Sequence, residues 1–233
     1  LFCKHSFLVY KIISKNMNAK IIESKPVNEP GSNYLCIDLE DMRRHVTNKT
    51  KVVFIANPSN PTGTIIKIKE IDDFIKSISK KIIVVIDEAY YEYSSHQGFK
   101  SAVNLLAKYS NVIVTRSFSK IYALAGIRVG YGLASTDIVS EFDKIRQPFN
   151  VNYIAQKMAV ASLGDERYLE KSLRLNDAGM QFLKLELNKL GIMYLNTYTN
   201  FITIYLGSKT QEIYEILLSE GVILRSLENY GLP

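Results

Sequence analysis

Apolar residues along the chain follow two patterns in turn, one typical of strands and one typical of helices. Short, continuously apolar or alternating runs predict strands at 51–56, 82–87, 111–115 and 128–134. Apolar side chains at helical spacing predict helices at 68–79, 101–109 and 137–146. Continuously apolar strands are typical of a parallel sheet that is buried on both faces. The alternation predicts an α/β fold, with a mostly parallel sheet and helices on both faces.

The pattern changes after about residue 150. Residues 153–190 have helical spacing with an interruption near Gly164, and the rest predicts a strand, a helix and a strand at 201–205, 210–219 and 222–225. We therefore expect two domains. Residues 1–152 form a large domain, and residues 153–233 form part of a smaller α+β domain.

Composition excludes several classes of protein. The 233 residues are 47% hydrophobic and 22% charged, which is typical of a globular chain rather than a disordered one. No apolar run approaches the roughly 20 residues of a membrane-spanning helix, so we expect no membrane partner. The net charge of +6 comes from basic residues interleaved with acidic ones, which does not favour nucleic-acid binding. The two cysteines and three histidines lack zinc-ligand spacing, so no metal is expected.

The chain starts at Leu1 without an initiator methionine and without a signal-peptide pattern, and it ends at Pro233. We expect it to be a fragment of a longer protein.

Polar side chains follow three successive predicted strands. Residues 57–63 (NPSNPTG) follow the first, Asp87 and Tyr90 end the second, and residues 117–120 (SFSK) end the third. Ligands of open α/β sheets bind at the carboxyl ends of the strands, so these groups are expected to converge. Arg128, eight residues after Lys120, can return a guanidinium to the same edge if the intervening residues form a loop.

Each of these signals also has a structural interpretation. Asn-Pro and Pro-Thr-Gly are turn formers, and Asp87 could simply cap the following helix. Nucleotide-binding loops and the G-x-S-x-G elbow are absent, and Gly126, Gly130 and Gly132 lie at a strand start, where close backbone packing explains them. The joint placement at consecutive strand ends favours a binding site. A lysine, a carboxylate and phosphate-binding groups are what pyridoxal phosphate requires.

The same phrases resemble those of fold-type I pyridoxal-phosphate aminotransferases. The phrases are NPSNPTG at 57–63, DEAY at 87–90 and SFSKIYALAGIRVG at 117–130. Others are similar to the histidinol-phosphate aminotransferase family: HSFLVY at 5–10, QPFNVNYIAQ at 147–156, Asn200-Phe201 and GVILR at 221–225. The resemblance extends along essentially the whole chain. Complete members also have a phosphate-binding loop before this region and an arginine for the substrate carboxylate after it.

The resemblance implies cofactor-binding roles for five residues. Lys120 would carry the cofactor covalently and then move the proton between the substrate α-carbon and the cofactor. Asp87 would pair with the pyridine nitrogen. Tyr90 and Asn60 would hydrogen-bond the cofactor's phenolate oxygen. Phe7 lies where the family stacks an aromatic ring on the pyridine.

The resemblance also implies phosphate-binding roles. Ser117, Ser119 and Arg128 match the positions that bind the cofactor phosphate, and Arg225 matches an arginine directed at the phosphate of the substrate.

The function that follows by resemblance is transamination in histidine biosynthesis. The small-molecule substrates would be L-histidinol phosphate with 2-oxoglutarate, or imidazole acetol phosphate with glutamate, in a cytoplasmic homodimer. Within enzymes, the alternatives are an aromatic amino-acid transaminase and a threonine-phosphate decarboxylase on the same scaffold. Outside enzymes, the alternative is an inactive truncated fragment.

Overall fold

The computed structural model describes residues 1–28 and 34–232. The strands are β1 Phe2–Cys3, β2 Glu23–Ser24, β3 Val52–Ala56, β4 Ile83–Asp87, β5 Val112–Ser117, β6 Gly130–Ala134, β7 Met193–Tyr194 and β8 Ile204–Tyr205. The α-helices are α1 Leu8–Asn16, α2 Leu39–His45, α3 Ile68–Ser77, α4 Tyr91–Ser95, α5 Thr136–Ile145, α6 Tyr153–Leu163, α7 Glu166–Lys189 and α8 Thr210–Ser219. Short 3₁₀ helices connect several of them.

The central sheet has the order β3-β4-β5-β6. Strands β3, β4 and β5 run parallel, and β6 returns antiparallel beside β5. The backbone amide of Phe54 donates to the carbonyl of Leu1 (2.9 Å), so β1 and its parallel partner β2 continue the layer beyond β3. The predicted α/β class with a mostly parallel sheet is confirmed.

One face of this sheet carries the main hydrophobic core. Side chains that alternate along β3, β4 and β5 are wholly enclosed there: Val53, Ile55, Val84, Ile86, Val112 and Val114. Helix α3 covers them with Ile71, Phe74 and Ile75, which share one side of the helix. Along β4, the opposite face is only half-buried, at Ile83, Val85 and Asp87. The expectation that this strand is buried on both faces is therefore wrong for one face.

Close backbone contact explains the glycine at the start of β6. A Cβ atom built on Gly130 would lie 2.8 Å from the carbonyl oxygen of Arg116, too close for any side chain. Glycine therefore lets β6 pair with the end of β5, as predicted for this position. The same expectation is wrong for Gly126, because a Cβ atom there would meet nothing within 4 Å.

The later part of the chain is mainly helical. The predicted helical stretch 153–190 is divided into α6 and α7 at Gly164, and a two-stranded hairpin pairs β7 with β8. The buried residues of α5–α8 are Ala155 and Ala159, both on α6. The domain boundary near residue 152 stays a prediction.

Three predicted elements differ from the structure. The strand predicted at 201–205 is reduced to β8, Ile204–Tyr205. The segment 101–109 forms only a short 3₁₀ helix, Ala102–Leu105, because Ser101 and the amide of Ala102 are held by the Glu88 carboxylate. No strand is assigned within 222–225, whose side chains are exposed. A strand needs a hydrogen-bonded neighbour, and β7 and β8 pair with each other instead.

Candidate active site

The carboxyl ends of β3, β4 and β5 meet at one edge of the sheet, as their parallel pairing requires. A cavity opens there, lined by Phe7, Tyr10, Ala56, Pro58, Asn60, Asp87, Ala89, Tyr90 and Lys120. The structure thus brings together five of the residues singled out in the sequence: Phe7, Asn60, Asp87, Tyr90 and Lys120.

Asp87 is held in place through both carboxylate oxygens. The hydroxyl of Tyr10 donates to Oδ2 (2.8 Å), and the backbone amide of Ala89 donates to Oδ1 (3.1 Å). Burial raises the pKa of the Tyr10 phenol well above its usual value, and the charge of Asp87 adds to that shift. Tyr10 therefore remains a protonated donor, and the Asp87 carboxylate has a fixed orientation.

Tyr10 is a site residue that the sequence did not single out. It is almost fully buried, its ring stacks on Phe54 at 4.8 Å between centroids, and Phe7 meets it edge-on at 5.9 Å. Phe7 is the N-cap residue of α1, and Tyr10 follows three residues later in the first turn of that helix. The pairing of Tyr10 with Asp87 spans 77 residues of sequence, so only tertiary structure reveals it.

Tyr90 and Asn60 form a second polar pair in the cavity. The Asn60 amide Nδ2 donates to the Tyr90 hydroxyl oxygen (3.3 Å), so the phenol hydrogen can be donated to a ligand. The ammonium Nζ of Lys120 lies 5.1 Å from the centre of the Tyr90 ring, within range of a cation–π interaction. Phe201, from the helical part of the chain, packs edge-on against Tyr90 at 5.3 Å.

The loop at 57–63 is fixed from both sides. The Asn57 side chain accepts from the amide of Ile66 (2.8 Å) and donates to its carbonyl (3.0 Å). Gly63 adopts φ +73°, and a Cβ atom there would lie 2.3 Å from the Thr197 hydroxyl. The amide of Tyr198 also donates to the Gly63 carbonyl (2.9 Å). This loop therefore holds Asn60 at the cavity.

Ser117, Ser119 and Arg128 lie near the β5–β6 connection. The backbone amide of Ser119 donates to Ser117 Oγ (3.0 Å), and Ser117 pairs with Gly130 across the two strands. This register brings the backbone of Arg128 close to both serines. The Arg128 guanidinium, however, is exposed and donates to the carbonyl of Ala125 (2.6 Å). Arg128 also adopts a left-handed backbone with φ +61°.

Four predicted site residues do not line the cavity: Ser117, Ser119, Arg128 and Arg225. Arg225 differs from the other three in lying far from the β5–β6 connection in sequence. It is exposed, lies in a segment without helix or strand, and does not line the cavity.

The arrangement suits a flat, aromatic ligand with polar groups on its rim. Asp87 offers an acceptor for a ring N–H, Tyr90 and Asn60 offer donors for a ring oxygen, and Lys120 offers an amine for a carbonyl. Among residues 1–28 and 34–232, no group of three His, Cys, Asp or Glu side chains is arranged for a metal ion. In that same part of the chain, no helix is both long and apolar enough to cross a membrane.

The chain is similar in sequence and in fold to known proteins. The model of the family "Aminotransferase class I and II" matches residues 3–233. The histidinol-phosphate aminotransferase 1 of Idiomarina loihiensis is 41% identical over 233 residues, which cover 100% of this chain and 62% of that protein. The chain thus spans about three fifths of the length of the curated relatives it matches.

Solved structures show the same fold. The histidinol-phosphate aminotransferase of Clostridium acetobutylicum aligns with a TM-score of 0.89 and 28% identity, covering 98% of this chain and 68% of that chain. That of Sinorhizobium meliloti, solved in complex with pyridoxal-5'-phosphate, aligns with a TM-score of 0.87 and 26% identity, covering 96% and 60% respectively. Since the family match extends over nearly every residue, this chain belongs to the class I and II aminotransferases.

Proposed function

We propose that the protein is a pyridoxal-phosphate-dependent aminotransferase that exchanges an amino group between L-histidinol phosphate and 2-oxoglutarate. One observation carries the proposal: Lys120 lines the same cavity as Asp87, whose two carboxylate oxygens are both fixed by hydrogen bonds. Relatives of 41% and 42% identity that carry the name histidinol-phosphate aminotransferase support the choice of substrate. The family resemblance supports a cytoplasmic homodimer.

The residues of the cavity fit pyridoxal phosphate. When bound, this cofactor supplies an aldehyde that joins an amino group and a protonated pyridine ring that withdraws electrons from the substrate α-carbon. Asp87 holds the proton on the ring nitrogen, because a carboxylate beside a nitrogen base favours its charged form. Tyr10 keeps Asp87 oriented for this contact.

Three further residues hold the ring. Phe7 provides an aromatic face against the pyridine, which binds through apolar contact and ring stacking. Tyr90 and Asn60 donate hydrogen bonds to the phenolate oxygen and so stabilise its negative charge. Together they orient the ring between the two strand ends.

Ser117, Ser119 and Arg128 hold the cofactor phosphate. Serine hydroxyls donate to phosphate oxygens, and a guanidinium pairs with two of them at once. In this structure the Arg128 guanidinium donates to the carbonyl of Ala125.

Lys120 acts as the base of the reaction. Its amine would hold the cofactor, and as a free amine it would take the proton from the substrate α-carbon. Its position over the Tyr90 ring keeps Nζ at the cavity.

Arg225 is assigned to the phosphate of the substrate. The assignment rests on the family resemblance and on the chemistry of the side chain, since a guanidinium can pair with two phosphate oxygens at once.

A substrate comparison tests this proposal. The purified protein, in the longest form that its reading frame encodes, is assayed with 2-oxoglutarate and either histidinol phosphate or phenylalanine. We expect a higher kcat/KM for histidinol phosphate. Arg225→Ala should lower that value by roughly 10–100-fold and leave the value for phenylalanine unchanged, because one charge-assisted phosphate contact is lost. A preference for phenylalanine would overturn the assignment.

A further inference from the structure

A buried cluster of charged side chains lies directly behind the site, on the opposite face of β4 and β5. The Arg116 guanidinium donates through Nε (3.0 Å) and Nη2 (2.8 Å) to Glu88 Oε2. Glu88 is 2% exposed, and its carboxylate also accepts from the Ser101 hydroxyl (2.8 Å) and the Ala102 amide (2.6 Å). We call these residues, with Tyr91 and Glu92, the Glu88–Arg116 cluster. No step of the proposed reaction uses it.

The alternation of side chains along a strand separates this cluster from the site. Asp87 pairs with Thr115 across the parallel strands β4 and β5, so the next residues, Glu88 and Arg116, both turn to the other face. The amide of Glu88 donates to the Thr115 carbonyl (2.9 Å), which continues the ladder to this point. Asp87 therefore faces the site cavity, while Glu88 and Arg116 lie on the opposite face, where Arg116 lines a second cavity.

The cluster also reaches the helix that follows Tyr90. The Arg116 guanidinium carbon lies 3.9 Å from the centre of the Tyr91 ring, and Nη1 lies 3.8 Å from a carboxylate oxygen of Glu92. Both residues begin α4. Three members of the cluster are thus direct chain neighbours of site residues: Glu88 of Asp87, Tyr91 of Tyr90 and Arg116 of Ser117.

We propose that Arg116 and Glu88 are positioning residues that fix the spacing of Asp87, Tyr90 and Ser117 at the three strand and helix ends, an inference that rests on the proposed function. A guanidinium that pairs through two nitrogens sets distance and angle together, which apolar packing does not. Because Glu88 is enclosed and the Arg116 side chain is only 15% exposed, solvent screens the pair less than it screens a surface ion pair. A small error in the position of such groups costs much affinity and rate.

The test measures cofactor binding separately from folding. Arg116→Lys keeps the positive charge and loses the two-pronged contact, and Glu88→Gln keeps the acceptor for Ala102 and loses the charge. We expect each to weaken the affinity for pyridoxal phosphate by about tenfold at a temperature where the unliganded variant is fully folded. The pH at which the absorbance of bound cofactor changes should also shift, since the charges and hydrogen bonds that Asp87 and Tyr90 would hold against the ring influence that pH.

Asp72→Asn is the matched control. Asp72 binds Lys108 (2.7 Å) and the Tyr109 hydroxyl (2.7 Å), an ion pair away from the cavity. We expect this variant to lose some stability and to keep the wild-type cofactor affinity and absorbance titration.

The outcomes separate the two proposals. If the wild-type protein does not bind pyridoxal phosphate, the proposed function fails and this inference fails with it. If the wild-type protein binds and Arg116→Lys and Glu88→Gln bind within twofold of it, only the positioning role is overturned. Lowered melting temperatures with unchanged affinity and absorbance would assign the cluster a purely structural role.

Discussion

The sheet and the later helices of this chain bury their apolar residues very differently. In β3, β4 and β5 the core-facing side chains are fully enclosed, and α3 adds Ile71 and Phe74 at 0% exposure. Helices α5, α7 and α8 bury no residue at all, and Phe142 and Phe182 are 50% and 62% exposed. The candidate site lies at the edge of the well-packed region, which is where a site needs rigid support.

This contrast shows which contacts can hold a site in place. Asp87, Asn60 and Tyr90 are fixed by strands, a doubly anchored loop and buried aromatic contacts. Arg225, in contrast, lies in an exposed segment of the later region. The side chains that we propose to face the cofactor are thus held by the sheet core, and the residue that we propose for the substrate phosphate is not.

Replacing one phenylalanine in each region should give the largest difference, measured as the loss in free energy of unfolding. Phe74→Ala removes a fully enclosed ring and should lower the free energy of unfolding by about 3–5 kcal/mol. Phe182→Ala on α7 removes a ring that is 62% exposed and should change it by less than about 0.5 kcal/mol. Urea unfolding of both variants measures the two values. Equal losses would show that α7 is packed as tightly as α3.

Alkaline pH should lower the free energy of unfolding by a smaller amount, through phenols in and near the sheet region. Burial raises the pKa values of Tyr93 and Tyr122 to about 12, and the hydrogen bond to Asp72 raises the pKa of Tyr109 to about 12. The unfolded chain releases these protons near pH 10, so stability is lost as the pH rises from about 10 to about 12.

The variant Tyr109→Phe tests whether stability is lost as the pH rises. The variant lacks one of the four phenols whose pKa values are raised (Tyr10, Tyr93, Tyr109 and Tyr122), so its free energy of unfolding should fall less steeply above pH 10 than that of the wild type. Equal slopes in urea unfolding at several alkaline pH values would contradict the role given to the Asp72–Tyr109 bond.

Much of the sheet could be predicted because its strands carry their own signal. Val52–Ala56, Ile83–Asp87 and Val112–Ser117 are apolar, β-branched runs, and their ends place Asp87 and Lys120 at one edge by topology alone. The alternation of helix and strand was enough to predict that β3, β4 and β5 run parallel to one another.

Features that depend on distant partners could not be predicted. The role of Tyr10 requires Asp87, 77 residues away, and the 3₁₀ form of Ala102–Leu105 depends on Glu88. Apolar content at 222–225 predicted a strand, but a strand forms only beside another one. The Arg128 guanidinium is oriented by its hydrogen bond to the Ala125 carbonyl, which no sequence pattern predicts.

The central claim is that the sheet edge holds a cofactor joined to Lys120, and covalent mapping tests it most directly. The protein is incubated with pyridoxal phosphate, reduced with borohydride and digested, and the modified peptide is identified by mass spectrometry. We predict modification of Lys120, and none at that peptide in Lys120→Ala. Modification of Lys144 instead, an exposed lysine on α5 that pairs with Glu141, would contradict the claim.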